Sequence, residues 1–224
     1  MRPHRHLPAR GRHAPPSSRP CHQPPGGRHR PRRSGSWATQ TGILNLSADP
    51  VPQNYTCANN TSSATPAPIG ALAELYNASC IAANYPDILA FLPTLALQLP
   101  FSIGTNQTLA PANIALSGNH FFLTTTTPVF SLMASPDPAR DLGVAVAQKV
   151  ASSPAPPDAT PGQGGVGYGA VAWLFLNTTD ATVGNIRGVY RLGTAGGSPP
   201  PTCENMPPTF SVQYAAQYWF YGLP

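Results

Sequence analysis

From Trp37 onward, short apolar runs alternate with turn residues every 8–15 positions. That rhythm belongs to an all-β sandwich or barrel, because each strand ends where Gly, Pro, Asn or Ser lets the chain reverse. The pattern predicts strands over 41–46, 51–57, 70–77, 113–117, 120–125, 129–132, 143–150, 170–177, 186–192 and 210–221. The last is the clearest. Phe210, Val212, Tyr214, Ala216, Tyr218 and Phe220 alternate with Ser211, Gln213, Ala215 and Gln217, so one face is apolar throughout and the other polar until Trp219 and Tyr221. Segment 170–176 (AVAWLFL) is apolar on both faces, which predicts a central strand covered on both sides. In 186–192, Ile186, Tyr190 and Leu192 share a face while Arg187 and Arg191 point the other way. Only 87–99 has a helical pattern, with Asp87 placed to cap it and Pro93 and Pro100 expected to keep it short. There is no internal repeat. The expectation is all-β: a single sandwich or barrel-like domain of about 8–10 short strands with one short helix, spanning 37–224.

Composition sharpens this. Charged residues are 9% of the chain, and Pro (29) and Gly (20) punctuate nearly every long segment. Coiled coils and helical bundles need uninterrupted helix formers, so both are excluded. No apolar run is long enough for a transmembrane helix. Charge is lopsided: nine of the 13 Lys and Arg and five of the six His precede Trp37, while all eight acids follow it. The remaining 4 basic and 8 acidic residues give 4 − 8 = −4. The basic balance therefore belongs to the tail, and no nucleic-acid contact is expected through the folded domain. Residues 1–36 hold almost no large apolar side chain and are expected to be disordered. Three readings fit this tail: an Arg-rich RNA-binding arm, an organelle transit peptide, or a stretch standing in place of the true N-terminus. The third is favoured, because Pro and Gly break the amphipathic helix of a transit peptide.

Two features point to the secretory pathway. Asn-x-Ser/Thr sequons occur at Asn45, Asn54, Asn59, Asn60, Asn77, Asn106 and Asn177, seven of twelve asparagines, with the overlapping Asn59 and Asn60 competing for one glycan. The four cysteines, Cys21, Cys57, Cys80 and Cys203, form no CxxC pair, and the three in the domain have no histidine beside them as ligand or base, so disulfides are expected rather than metal or redox chemistry. Spacing leaves all three connectivities open. An extracellular location is expected, although the first 40 residues contain no apolar signal-peptide core.

Sites of chemistry are sparse. Gly162, Gly164 and Gly167 match the dinucleotide pattern G-x-G-x-x-G, but they follow SSPAPPDATP, which is no strand, and precede AVAWLFL, which is no helix. No nicotinamide or other cofactor is expected, and no metal. His120 is the sole histidine of the domain, in SGNHFFL; it is a candidate general base, with a hydrogen-bonded structural role the stronger reading. Glu74, between Leu72 and Tyr76, is the one acid inside a predicted strand and the other weak catalytic candidate. Trp219 and Tyr221 offer a stacking platform for sugar rings, against the plainer reading of packing under a loop or a glycan.

QNYTC (53–57), ALAELYNASC (71–80), GNHFF (118–122), TPVF (127–130), AWLFL (172–176), VYRLGTAGG (189–197) and YAAQYWFYG (214–222) occur in this order. In combination they resemble a family of small secreted proteins, abundant in filamentous fungi with shorter bacterial relatives, that has no established function and is often described as "malate dehydrogenase-like". The resemblance covers about residues 42–222 and transfers no catalytic residue; the dehydrogenase label finds no support in the glycine motif. The chain departs from that pattern in its N-terminal tail and at SADPVP (47–52). The resemblance implies a Cys57–Cys203 disulfide, with Cys80 unpaired or joined to an N-terminal cysteine such as Cys21. Two function classes follow: a secreted non-catalytic wall or surface protein that binds polysaccharide, or a secreted enzyme built around His120 or Glu74. The scarcity of clustered catalytic types favours the first.

Overall fold

The structure, a computed structural model, describes residues 41–46, 53–98, 108–109, 114–134 and 141–222. The tail 1–36 with Cys21, the segment 47–52 and Asn106 lie outside the described residues.

Among the described residues there are twelve strands and two α-helices: β1 (Thr41–Leu46), β2 (Gln53–Thr56), β3 (Ala67–Ala71), β4 (Ala73–Asn77), α1 (Ser79–Asn84), α2 (Pro86–Gln98), β5 (Thr108–Leu109), β6 (Ile114–Thr124), β7 (Thr127–Leu132), β8 (Gly143–Ser153), β9 (Trp173–Thr178), β10 (Ile186–Gly196), β11 (Thr209–Val212) and β12 (Tyr214–Gly222). β6 to β10 form an antiparallel meander. β12 then pairs with β10, β1 with β12, and β4 with β1. The β4–β6 pairing, Ala73 opposite His120 and Leu75 opposite Gly118, returns the sheet onto itself. Eight strands therefore close a ring, the device that removes exposed sheet edges. The all-β expectation resolves to a barrel rather than a sandwich. β5 adds a short edge to β6, and β11, β2 and β3 form a separate three-stranded sheet.

The period-two pattern of the C-terminal segment explains the core. Tyr214, Ala216, Tyr218 and Phe220 of β12 face inward with Leu75, Phe130, Leu132, Ala145, Ala147, Leu176 and Val189. Alanines opposite bulky rings suit an eight-stranded ring, whose interior is just wide enough for side chains to fill. Burying each large apolar group contributes about 1.5–3 kcal/mol. At Gly118 the strands approach so closely that a Cβ would lie 1.9 Å from the Ser131 carbonyl oxygen, so only glycine fits.

The outer face of the barrel is not solvent everywhere. Leu89, Ala96 and Leu97 of α2 pack with Tyr76, Ala195 and Ala215 and with the half-buried Trp219. α2 spans Pro86–Gln98, close to the expected 87–99, with Pro93 inside it. The Leu89 carbonyl, which a donor at position 93 would normally satisfy, accepts a 3.0 Å hydrogen bond from Gln217 Nε2 of β12 instead.

Other expectations are corrected. The strand expected over 210–221 is two strands in different sheets, broken at Gln213. The 70–77 strand likewise divides at Leu72 between β3 and β4. Segments 113–117 and 120–125 are one strand, β6. The strand expected from Ala170 begins at Trp173, Ala170 making only an isolated bridge to Gly197. α1 was not legible in the sequence; it has no side-chain cap and no charged residue in its terminal turns. In β10 a register shift between Ile186 and Gly188 reverses the expected faces: Val189 lies in the core, Tyr190 is outside and Arg191 turns inward.

Candidate functional site

One end of the barrel opens into a cavity of about 530 Å³. Its walls are mostly apolar, with Phe122 of β6, Leu174 and Leu176 of β9, and Val171 before it, while Thr125, Thr126, Ser152 and Ser198 add hydroxyl groups to the lining. Gln53 and Tyr55 of β2 and Gly70 of β3 bring the small sheet over the opening. Two cations line it. Arg191 sits opposite Leu174 of β9 and Tyr218 of β12, and Lys149 lies two residues beyond the inward Ala147 on β8. None of the described carboxylates lines the cavity.

Each polar group at the mouth is fixed by the local fold. Arg191 Nε and Nη2 both donate to the Ala172 carbonyl, at 3.1 and 2.9 Å, which pins the half-buried guanidinium at the cavity wall. Tyr55 Oη donates to the Gly197 carbonyl at 2.7 Å, and its ring stacks on Phe210. Burial pushes the Tyr55 phenol up to about 12, with the Arg191 charge opposing, so it stays a neutral donor. Gln53 Nε2 donates to the Gly70 carbonyl at 3.0 Å.

His120 is inside the barrel wall, 2% exposed, its ring stacked on Phe130 at 4.3 Å between centroids and tilted against Phe122 and Tyr218. Its Nδ1–H donates to the Val129 carbonyl at 2.9 Å. Burial lowers its pKa to about 4; the hydrogen bond to Val129 opposes this and the Arg191 charge adds to it. A neutral imidazole enclosed by rings has the geometry of a packing residue.

Glu74 lies on the other side of the same wall. Because Ala73 pairs with His120 and Leu75 is in the core, Glu74 faces outward with Tyr76, whose Oη donates to its Oε2 at 2.6 Å. Burial and this carboxylate raise the Tyr76 phenol well above its ordinary pKa. The two catalytic candidates therefore stand back to back across the β4–β6 pair and share no site.

The sugar-stacking candidates are also on the outside. Trp219 packs into the cluster under α2, and its Nε1 donates to Gln217 Oε1 at 3.2 Å. Tyr221 meets Tyr190 edge-on at 5.5 Å, and Tyr190 stacks on Phe175 at 4.6 Å, forming a strip of three rings on β9, β10 and β12. Asn177, exposed and on the same outward set of β9 as Phe175, stands beside that strip. Of the other sequons, Asn59 and Asn60 are exposed, Asn54 and Asn77 half-buried, and Asn45 lies on β1.

The Cys57–Cys203 pairing that the resemblance implies is present. Cys57 and Cys203 form a disulfide with Cα atoms 5.7 Å apart, joining the end of β2 to the loop before β11. The strands it clamps are neighbours, Thr56 opposite Thr209. Cys80 is also disulfide-bonded. The glycine motif does not open a helix: Gly162 and Gly164 belong to a loop with one short 3-10 turn between the antiparallel β8 and β9, and Gly164 N–H donates to Gln98 Oε1 at 2.7 Å.

A family described as "Protein of unknown function (DUF3455)" matches residues 38–222. The chain belongs to that family. Its match spans the barrel, the small sheet and both helices, and begins just before β1. Neither the curated proteins nor the solved structures contain a match to this chain.

The site residues that sequence reading missed are Arg191 and Lys149. Period-two counting from Ile186 puts Arg191 on the outside; Gly188, directly after Arg187, is the signal that the strand bulges and reverses its faces. Lys149 carries no local signal, because only ring closure turns the end of β8 toward the mouth.

Proposed function

We propose that this member of the DUF3455 family is a secreted, N-glycosylated, non-catalytic binding protein that holds a small ligand in the open end of its barrel. The observation that carries the reading is the mostly apolar cavity lined by two cations and by none of the described carboxylates. Ligand sites in proteins are commonly concave, mostly apolar and supplied with a few fixed polar groups, with volumes of roughly 300–1,000 Å³. The mouths of eight-stranded barrels are among their usual places. A disulfide linking parts of the chain 146 residues apart, together with the sequons, supports work in an oxidising, extracellular compartment.

The enzyme reading around His120 or Glu74 is disfavoured by the burial of His120 and by the wall between the two groups. A polysaccharide role attaches to the outer strip of Phe175, Tyr190 and Tyr221. Those rings already occupy one another's faces and edges, and a glycan on Asn177 emerges beside them. The cavity is the better site.

The test is a fluorescence titration with the neutral apolar probe N-phenyl-1-naphthylamine. Wild-type protein takes up one probe saturably, and Ala172→Trp, which fills the cavity, abolishes the signal without lowering the cooperativity of unfolding. Equal uptake by both proteins, or none by wild type, would overturn the reading.

A further inference from the structure

We infer that the ligand at the barrel mouth is an amphiphilic organic carboxylate, an acid head on an apolar aromatic or aliphatic body, with Arg191 and Lys149 receiving the head. This rests on the reading of the mouth as a binding site.

The argument starts at Arg191. A guanidinium has five N–H donors in a fixed planar fork. Nε–H and one Nη2–H converge on the Ala172 carbonyl. That leaves both Nη1 donors and the second Nη2 donor with no hydrogen-bond partner among the described residues. The remaining Nη1/Nη2 pair is the end-on fork, which matches a carboxylate bidentately. The group is pre-oriented by its bond to Ala172, so little side-chain entropy is lost when an anion arrives. Lys149, on the neighbouring rim of the cavity, adds a second positive charge on a flexible stem. A half-buried cation with no counter-charge among the described residues is costly, and an incoming anion relieves that cost.

The rest of the cavity defines the body of the ligand. Phe122, Val171, Leu174 and Leu176 present hydrocarbon, and the polar groups of the small sheet are already committed: the Tyr55 hydroxyl to Gly197 and the Gln53 amide to Gly70. A sugar, polar all round, would bury hydroxyls against Phe122, Val171, Leu174 and Leu176, and a free inorganic anion would leave those walls wet. An acid with an apolar body matches both halves.

The experiment displaces N-phenyl-1-naphthylamine with matched pairs: decanoic acid against decanamide, and 1-naphthylacetic acid against its amide, at neutral pH and low salt. The acids are expected to displace the probe at concentrations about ten- to a hundredfold lower than the amides, the range that a charge-assisted hydrogen-bonded pair supports. Lys149→Gln, at an exposed position that leaves the core untouched, narrows the gap. Arg191→Lys, which keeps the charge but removes the fork, narrows it further. Equal displacement by acid and amide in wild type overturns the carboxylate assignment while the cavity stands. Failure of the neutral probe to bind wild type overturns the binding reading itself.

Discussion

At the scale of single residues, burial decides what each titratable group can do. His120 has a ring stack, a backbone acceptor and almost no access to water, so its folded pKa near 4 lies below the unfolded value of roughly 6.5. The unfolded chain therefore binds more protons between those values, and stability rises with pH through that window. The stability is fully present above about pH 6.5 and is lost as pH falls towards 4. Chemical denaturation at pH 7 and pH 5 is expected to show a loss about 2 kcal/mol larger in wild type than in His120→Phe, which does not titrate. An identical pH dependence in both proteins would show that His120 is not held neutral. The identity of the histidine was legible in the sequence, and so was its structural reading, from two Phe beside it in a strand. The direction of Glu74 was not. A strand residue's face is known only once its neighbour in the core is known, and Leu75 settles it.

At the scale of elements, the alternation of β12 was readable because one face is buried along its whole length. Strand breaks were harder. Leu72 and Gln213 both stand where the chain passes from the small sheet to the barrel or back, and an alternating pattern continues smoothly through such a crossing. α2 shows local propensity overridden by tertiary contact: Pro93 removes a helix donor, and a side chain from the barrel replaces it. Gln217→Leu is expected to destabilise the protein by about 1–3 kcal/mol, because the Leu89 carbonyl is left unsatisfied beneath the helix. In a Pro93→Ala background the helix supplies its own donor, so the same substitution costs at least about 1 kcal/mol less. A double-mutant cycle from urea denaturation measures this; an equal cost in both backgrounds would mean that Gln217 does not serve that carbonyl. The Cys57–Cys203 bridge acts on the same scale, closing a loop for which chain-entropy estimates give about 4–5 kcal/mol. No helix among the described residues is long and apolar enough to cross a membrane.

At the scale of the whole molecule, ring closure turns a series of short strands into the cavity proposed as the binding site. The fold class was legible from the rhythm of apolar runs, but a barrel differs from a sandwich only in which edge strands meet, and the β4–β6 pairing has no local signature. Closure brings Lys149 of β8 and Arg191 of β10 to one opening and sets His120 and Glu74 on opposite faces of one wall. The same closure leaves an outer aromatic strip as the competing surface. Amide and side-chain chemical-shift mapping of the full chain titrated with 1-naphthylacetic acid distinguishes the two directly. The account predicts saturable shifts concentrated on Gly70, Phe122, Leu174 and the Arg191 side chain, with Phe175, Tyr190 and Tyr221 unmoved. Shifts confined to those three outer rings, with the mouth silent, would contradict it.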